Sequence, residues 1–112
     1  MEIWKVARDA AGEIYLVAAE LPETEKFGIR SQLTRAAVSI SSNIAEGHGR
    51  GSDPDFARFL KIAQGSTREC QSLLEIARYL GMVSETEKAD ELLDRVSKML
   101  YRFIQKLNAK PN

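Results

Sequence analysis

Three breaks cut this sequence into four segments, and within each segment apolar residues return at intervals of three and four. The breaks are Leu21-Pro22, the run Gly47-His48-Gly49-Arg50-Gly51 with Ser52-Asp53-Pro54, and Gly81. Intervals of three and four hold side chains on one face of an α-helix, whereas a strand needs strict alternation. No segment alternates, none is of low complexity, and none carries a proline in its interior. The pattern therefore predicts an all-α chain with helices at about 2–20, 28–47, 53–80 and 84–108.

In the first segment Ile3, Ala7, Ala10, Ile14, Val17 and Leu21 form one stripe, with Trp4, Ala11, Tyr15 and Ala18 beside it. Pro22 stops it, because the residue before a proline disfavours helical torsions. The second segment carries Ile29, Leu33, Ala36, Ile40 and Ile44, and its many small residues would let another helix approach closely. Gly47 reads as its stop. The third has Phe56, Leu60, Ala63, Thr67, Cys70, Leu74 and Ala77, widened by Phe59, Ile62, Leu73, Ile76 and Leu80. Ser52 or Asp53 can cap it, Pro54 suits the first turn, and Gly81 ends it. Gly65 costs about 1 kcal/mol against alanine inside a helix, so close packing is expected there. The fourth stripe is Leu92, Val96, Met99, Phe103 and Leu107, flanked by Leu93, Leu100 and Ile104. Ser84 with Glu87 three residues on spells a capping box, and Lys110-Pro111-Asn112 should fray. Short connections between amphipathic helices favour antiparallel neighbours, so a single up-down-up-down four-helix bundle over residues 1–112 is expected.

A chain of 112 residues with one cysteine has no intrachain disulfide, and its N-terminus carries charges before any apolar run. A cytoplasmic location without a membrane anchor is the expectation. Sixteen basic and 16 acidic side chains give a formal net charge of zero. That argues against strong nonspecific nucleic-acid binding without excluding a local patch. The charge is unevenly spread. Residues 1–25 carry six acids against Lys5 and Arg8, while residues 26–50 carry Lys26, Arg30, Arg35 and Arg50 against Glu46. Helix one can complement helix two within the bundle, a basic surface on helix two can meet phosphate or an acidic protein, or subunits can complement each other. The wide stripes are likewise open to two readings, an ordinary core or a second interface. Trp4 and Tyr15 on the flank of helix one tilt toward self-association, since aromatic residues are enriched at interfaces.

Catalytic chemistry finds little support. His48 is the only histidine, and Cys70 lies on the apolar stripe with no histidine near it on its helix. No cofactor or metal site is expected. The glycine-rich run follows a helix and lacks the phosphate-loop pattern, so it reads as a connection, with a phosphate contact through Arg50 as the alternative. Tyr79, Tyr101 and Phe103 could stack on bases, but Phe103 fits the core and the tyrosines are far apart.

The stretch Arg35-Ala36-Ala37-Val38-Ser39-Ile40-Ser41-Ser42-Asn43-Ile44-Ala45-Glu46-Gly47 resembles the signature of the four-helix bundle proteins encoded in intervening sequences of bacterial 23S ribosomal RNA genes. Ile3-Trp4-Lys5, Phe27-Gly28, Gln32-Leu33, Phe56, Phe59-Leu60, Gly65-Ser66, Glu69, Leu74-Glu75-Ile76-Ala77 and Leu80-Gly81 also fit, so the resemblance covers nearly the whole chain. Ser41 departs from it where the family often has proline, so a bend in helix two is not carried over. The resemblance implies a left-handed antiparallel bundle and, as in several members, a ring-shaped homopentamer, in a family for which no biochemical activity is generally established. A more distant branch, the accessory proteins of diversity-generating retroelements, is strongly basic and associates with nucleic acid. The zero net charge departs from that branch.

Arg35, Asn43, Glu46 and Glu69 are the polar members of the recognised motif. In a hairpin folded about residue 49, Arg35 faces the turn of Gln64 to Glu69, so an Arg35–Glu69 ion pair is expected, with Asn43 and Glu46 satisfying backbone groups near the hairpin turn. Two functional expectations follow. One is a non-catalytic homo-oligomeric interaction module using Trp4 and Tyr15. The other is an RNA- or DNA-associated accessory protein that contacts phosphate through Lys26, Arg30 and Arg50.

Overall fold

The computed structural model describes residues 1–109. It contains α1 (Glu2–Ala18), α2 (Ile29–His48), α3 (Asp53–Tyr79) and α4 (Glu87–Asn108), with a 3-10 turn at Glu23–Glu25. No strand occurs among the described residues. The expected fraying of Lys110-Pro111-Asn112 lies outside them.

The helices close into a ring. α1 packs on α2 and α4, and α3 packs on the same two. Each helix turns its stripe inward. Ile14, Leu33, Ile40, Ile44, Leu60, Leu74, Leu93, Val96 and Leu100 are fully buried. Thr67 is the polar member of the core, and its hydroxyl donates to Ala63 O at 2.8 Å, so burial leaves it satisfied. Two stripes differ from expectation. In α4 the buried line is Leu93, Val96, Leu100, Ile104 and Leu107, while Leu92, Met99 and Phe103 are half-buried. In α3 Phe59 and Leu73 join the core but Ile62, Ile76 and Leu80 are exposed. One helix can bury only the arc that faces its two neighbours, so the widest apolar arc overflows it.

The helix ends show which local signals operate. Ser52 Oγ accepts from Asp55 N at 3.4 Å and caps α3. At its other end Gly81 takes φ 71°, Met82 N donates to Ala77 O at 2.9 Å, and Gly81 N donates to Arg78 O at 3.0 Å. This is a Schellman closure, which needs a residue at ease with positive φ. The Ser84–Glu87 capping box does not form. α4 starts later, after Thr86, and Ser84 Oγ donates across to Glu20 Oε1 at 3.1 Å. The buried Thr86 Oγ1 donates to Asp90 Oδ2 at 2.8 Å and accepts from Arg78, which also pairs with Asp90 at 2.8 Å. The α3–α4 connection is thus tied to α4 by a side-chain cluster rather than by a cap.

Gly47 is not the stop of α2, which continues to His48. A Cβ there would lie 2.7 Å from Phe59 Cβ and 3.0 Å from Phe56 Cδ1, so α3 approaches α2 closely at this glycine. Gly65, expected to be the close contact, is exposed with nothing within 4 Å of a built Cβ. Beside Gly47, His48, Phe56 and Phe103 stack edge-to-face at 5.7 and 5.1 Å and link α2, α3 and α4. Ser41 leaves α2 unbroken, its hydroxyl donating to Val38 O at 3.2 Å.

Candidate functional site

The polar residues of α2 divide between packing and surface. Ser39 Oγ and Ser66 Oγ share a hydrogen bond of 2.8 Å between α2 and α3. Asn43 Nδ2 donates to Ser39 O at 2.8 Å and to Ser39 Oγ at 3.0 Å. Asn43 therefore secures the middle of the α2–α3 seam, not the backbone of the hairpin turn. Glu46 reaches the turn by a side-chain route, 3.7 Å from Arg50.

The Arg35–Glu69 ion pair does not form. Both residues are exposed, and neither side chain makes an ion pair or a hydrogen bond among the described residues. A fully hydrated pair gains little from contact and gives up side-chain freedom to make it, which removes the drive to pair.

The basic residues of segment two do not form one surface. α2 has 20 residues, which at 1.5 Å per residue sets Lys26 and Arg30 about 30 Å from Arg50. Arg50 sits over the Phe59 ring at 4.9 Å and pairs with Glu46, which occupies it structurally. Arg30 is anchored as well. Its Nη2 donates to Leu21 O at 2.6 Å and its Nη1 lies 3.6 Å from Glu23, while its buried Nε has no partner. Lys26 sits 5.6 Å over the Phe27 ring.

Lys26, Arg30 and Arg35 do share one place, an open groove between α1 and α2 of about 760 Å³. Tyr15, Ala19 and Phe27 supply its apolar walls. Phe27 is 90% exposed, the largest exposure among the exposed large apolar side chains. Sequence reasoning placed it in the family resemblance but gave it no site role. The available signal was an aromatic residue outside every stripe, between an acidic turn and Gly28.

Of the two proposed interface aromatics, Tyr15 is half exposed on the groove wall, and Trp4 is half-buried against the core with Arg8 at 5.6 Å over its ring. Apolar side chains are also exposed on α3, where Ile62 and Ile76 lie two heptads apart, and at its C-cap Leu80, next to the buried Leu73. Tyr79 and Tyr101 are exposed, while Phe103 packs on Phe56.

Burial, and secondarily the Glu69 charge, pushes the Cys70 thiol up to about 12 from 9.0, so it stays protonated and unreactive. No group of three His, Cys, Asp or Glu side chains among the described residues could hold a metal ion. No helix among them is long and apolar enough to cross a membrane.

The family model described as 23S rRNA-intervening sequence protein matches residues 1–102. A crystal structure of a protein of unknown function from the S23 ribosomal protein family of Bacteroides thetaiotaomicron superposes with a TM-score of 0.83. That match has 24% sequence identity and covers 91% of this chain and 97% of the other, a likeness of fold. A search of curated proteins finds no match.

Proposed function

Because the chain belongs to the 23S rRNA-intervening sequence protein family, we propose that it is a non-catalytic, self-associating interaction module of the bacterial cytoplasm. Its bundle is read as up-down-up-down, antiparallel and left-handed, with five copies as the working number carried by the family resemblance. The antiparallel reading is supported by the cross-contacts. Met1–Ile3 lie beside Met99 and Phe103, Glu20 meets Ser84, and Ser39 meets Ser66 while Gly47 meets Phe59.

One observation carries the self-association. Ile62 and Ile76 on α3 and Leu80 at its C-cap are exposed along one side, next to the buried Leu73, although the chain already buries a core of its own. An apolar strip at coiled-coil spacing on a helix that has already spent its inward face is suited to a partner. Light scattering at micromolar concentration tests it. A multiple of 12.5 kDa is expected, and a mass of 12.5 kDa overturns the proposal.

A second reading is a nucleic-acid accessory role, favoured by Phe27, whose exposed ring lies among Lys26, Arg30 and Arg35. An aromatic face flanked by cations suits stacked bases and phosphates. Arg50 is too distant to belong to that groove. Fluorescence anisotropy with a structured RNA should then show binding that weakens linearly in log–log with salt. Absence of binding at low salt removes this reading.

A further inference from the structure

Two unpaired charges lie on two different unpartnered surfaces of this chain. Glu69 sits midway along the α3 strip, one heptad after Ile62 and one before Ile76, exposed and without a partner among the described residues. Arg35 stands on the wall of the α1–α2 groove with Tyr15, Ala19 and Phe27, also exposed and without a partner. Lys26 and Arg30 line the same groove, so its charge is positive against a single carboxylate, Glu23, which already faces Arg30.

The surfaces are complementary in sign, in apolar character and in spacing. At 1.5 Å per residue, Glu69 to Ile76 is about 10 Å along α3, and Arg35 back to Ile29, the first residue of α2 and two after Phe27, is about 9 Å. An α3 helix laid antiparallel to α2 in the groove with Glu69 on Arg35 therefore brings Ile76 toward the end of the groove that holds the bare Phe27 ring. Contact would remove water from the charge pair as well as from the apolar side chains. That desolvation is what the two residues lack within one chain.

We infer that the α3 strip of one copy seats in the α1–α2 groove of the next, with Glu69 of one meeting Arg35 of the other. The inference rests on the self-association reading above. Groove and strip are different patches, so each copy can offer both, and the contact propagates into a ring or a chain rather than stopping at two copies. The occupant is a second copy of this chain because both halves of the match are on it.

Charge reversal tests the pairing. Arg35→Glu and Glu69→Arg are surface changes, and circular dichroism checks that both variants keep their helices. Each single reversal sets like charges face to face and should weaken assembly by about tenfold or more, read as a shift of the concentration at which the mass falls. The double variant Arg35→Glu/Glu69→Arg restores opposite charges and should recover most of the loss. Single variants that assemble like the parent chain overturn the pairing and leave self-association standing, as does a double variant no better than the singles. A parent chain that stops at two copies overturns the groove-and-strip arrangement. A parent chain of monomer mass removes both proposals together.

Discussion

Replacing Gly47 by alanine should destabilise the fold even though alanine is the better helix former. The propensity gain is about 1 kcal/mol for a helix interior. Against it stands the geometry. The new Cβ would lie 2.7 Å from Phe59 Cβ, 3.0 Å from Phe56 Cδ1 and 3.3 Å from Phe56 O. Carbon atoms rest at about 3.5–4.0 Å, and Phe59 Cβ is tied to the α3 backbone, so no rotamer change relieves the clash. The end of α3 must move away from α2, disturbing the His48–Phe56–Phe103 stack. Overpacking of this kind costs about 1–3 kcal/mol, which leaves a net loss of up to about 2 kcal/mol. Gly65→Ala is the control. The site is exposed, with nothing within 4 Å, so only the propensity gain of about 1 kcal/mol remains. The two variants should shift in opposite directions in urea unfolding followed by circular dichroism at one fixed protein concentration. In thermal unfolding their midpoint temperatures should separate by roughly 10 °C. A Gly47→Ala protein as stable as Gly65→Ala would refute the argument that α3 packs too closely on Gly47 to admit a side chain.

Ser52→Ala removes an operating cap and should cost about 1 kcal/mol in chemical denaturation, whereas Ser84→Ala should stay within about 0.5 kcal/mol, because Ser84 caps nothing. Equal losses would contradict the assignment of α4's start to Thr86. Thr86→Ala withdraws a buried hydroxyl from between Arg78 and Asp90 and should cost about 1–2 kcal/mol, while an unchanged urea midpoint would show the cluster to be incidental. The Cys70 thiol should resist an aromatic disulfide reagent in the folded protein and react at the rate of unfolding, so prompt labelling under native conditions speaks against its burial. The unfolded thiol ionises near 9.0 and the folded one only near 12, so its contribution to stability is whole below pH 9 and declines as pH rises toward 12.

Much of the bundle is legible along the chain because helix periodicity is a local property. The stripe from Ile3 to Leu21 and the one from Leu33 to Ile44 are buried as the spacing requires. The cap at Ser52 and the stop at Gly81 depend only on residues one turn away, and both operate. Ser84 had the same local credentials as Ser52 but reached Glu20, which lies 64 residues earlier. Local capping codes are statements of preference, and a distant acceptor of similar quality can take the hydroxyl.

The candidate site was less legible. Lys26, Arg30, Arg35 and Arg50 are close in sequence and share a sign, yet a helix of 20 residues carries Arg50 to the far end of the molecule. Phe27 showed no periodic role, and only the packed structure reveals that its ring has nowhere to go. By itself, the sequence determined the number of α-helices, the buried faces of α1 and α2 and the presence of a single histidine, because these follow from residue types and short spacings. Tertiary structure alone decided which glycine receives a neighbouring helix, that Arg35 and Glu69 stay apart, and which apolar strip is left uncovered. Each of these depends on where a second helix lies, and a spacing read along one helix carries no information about the position of another.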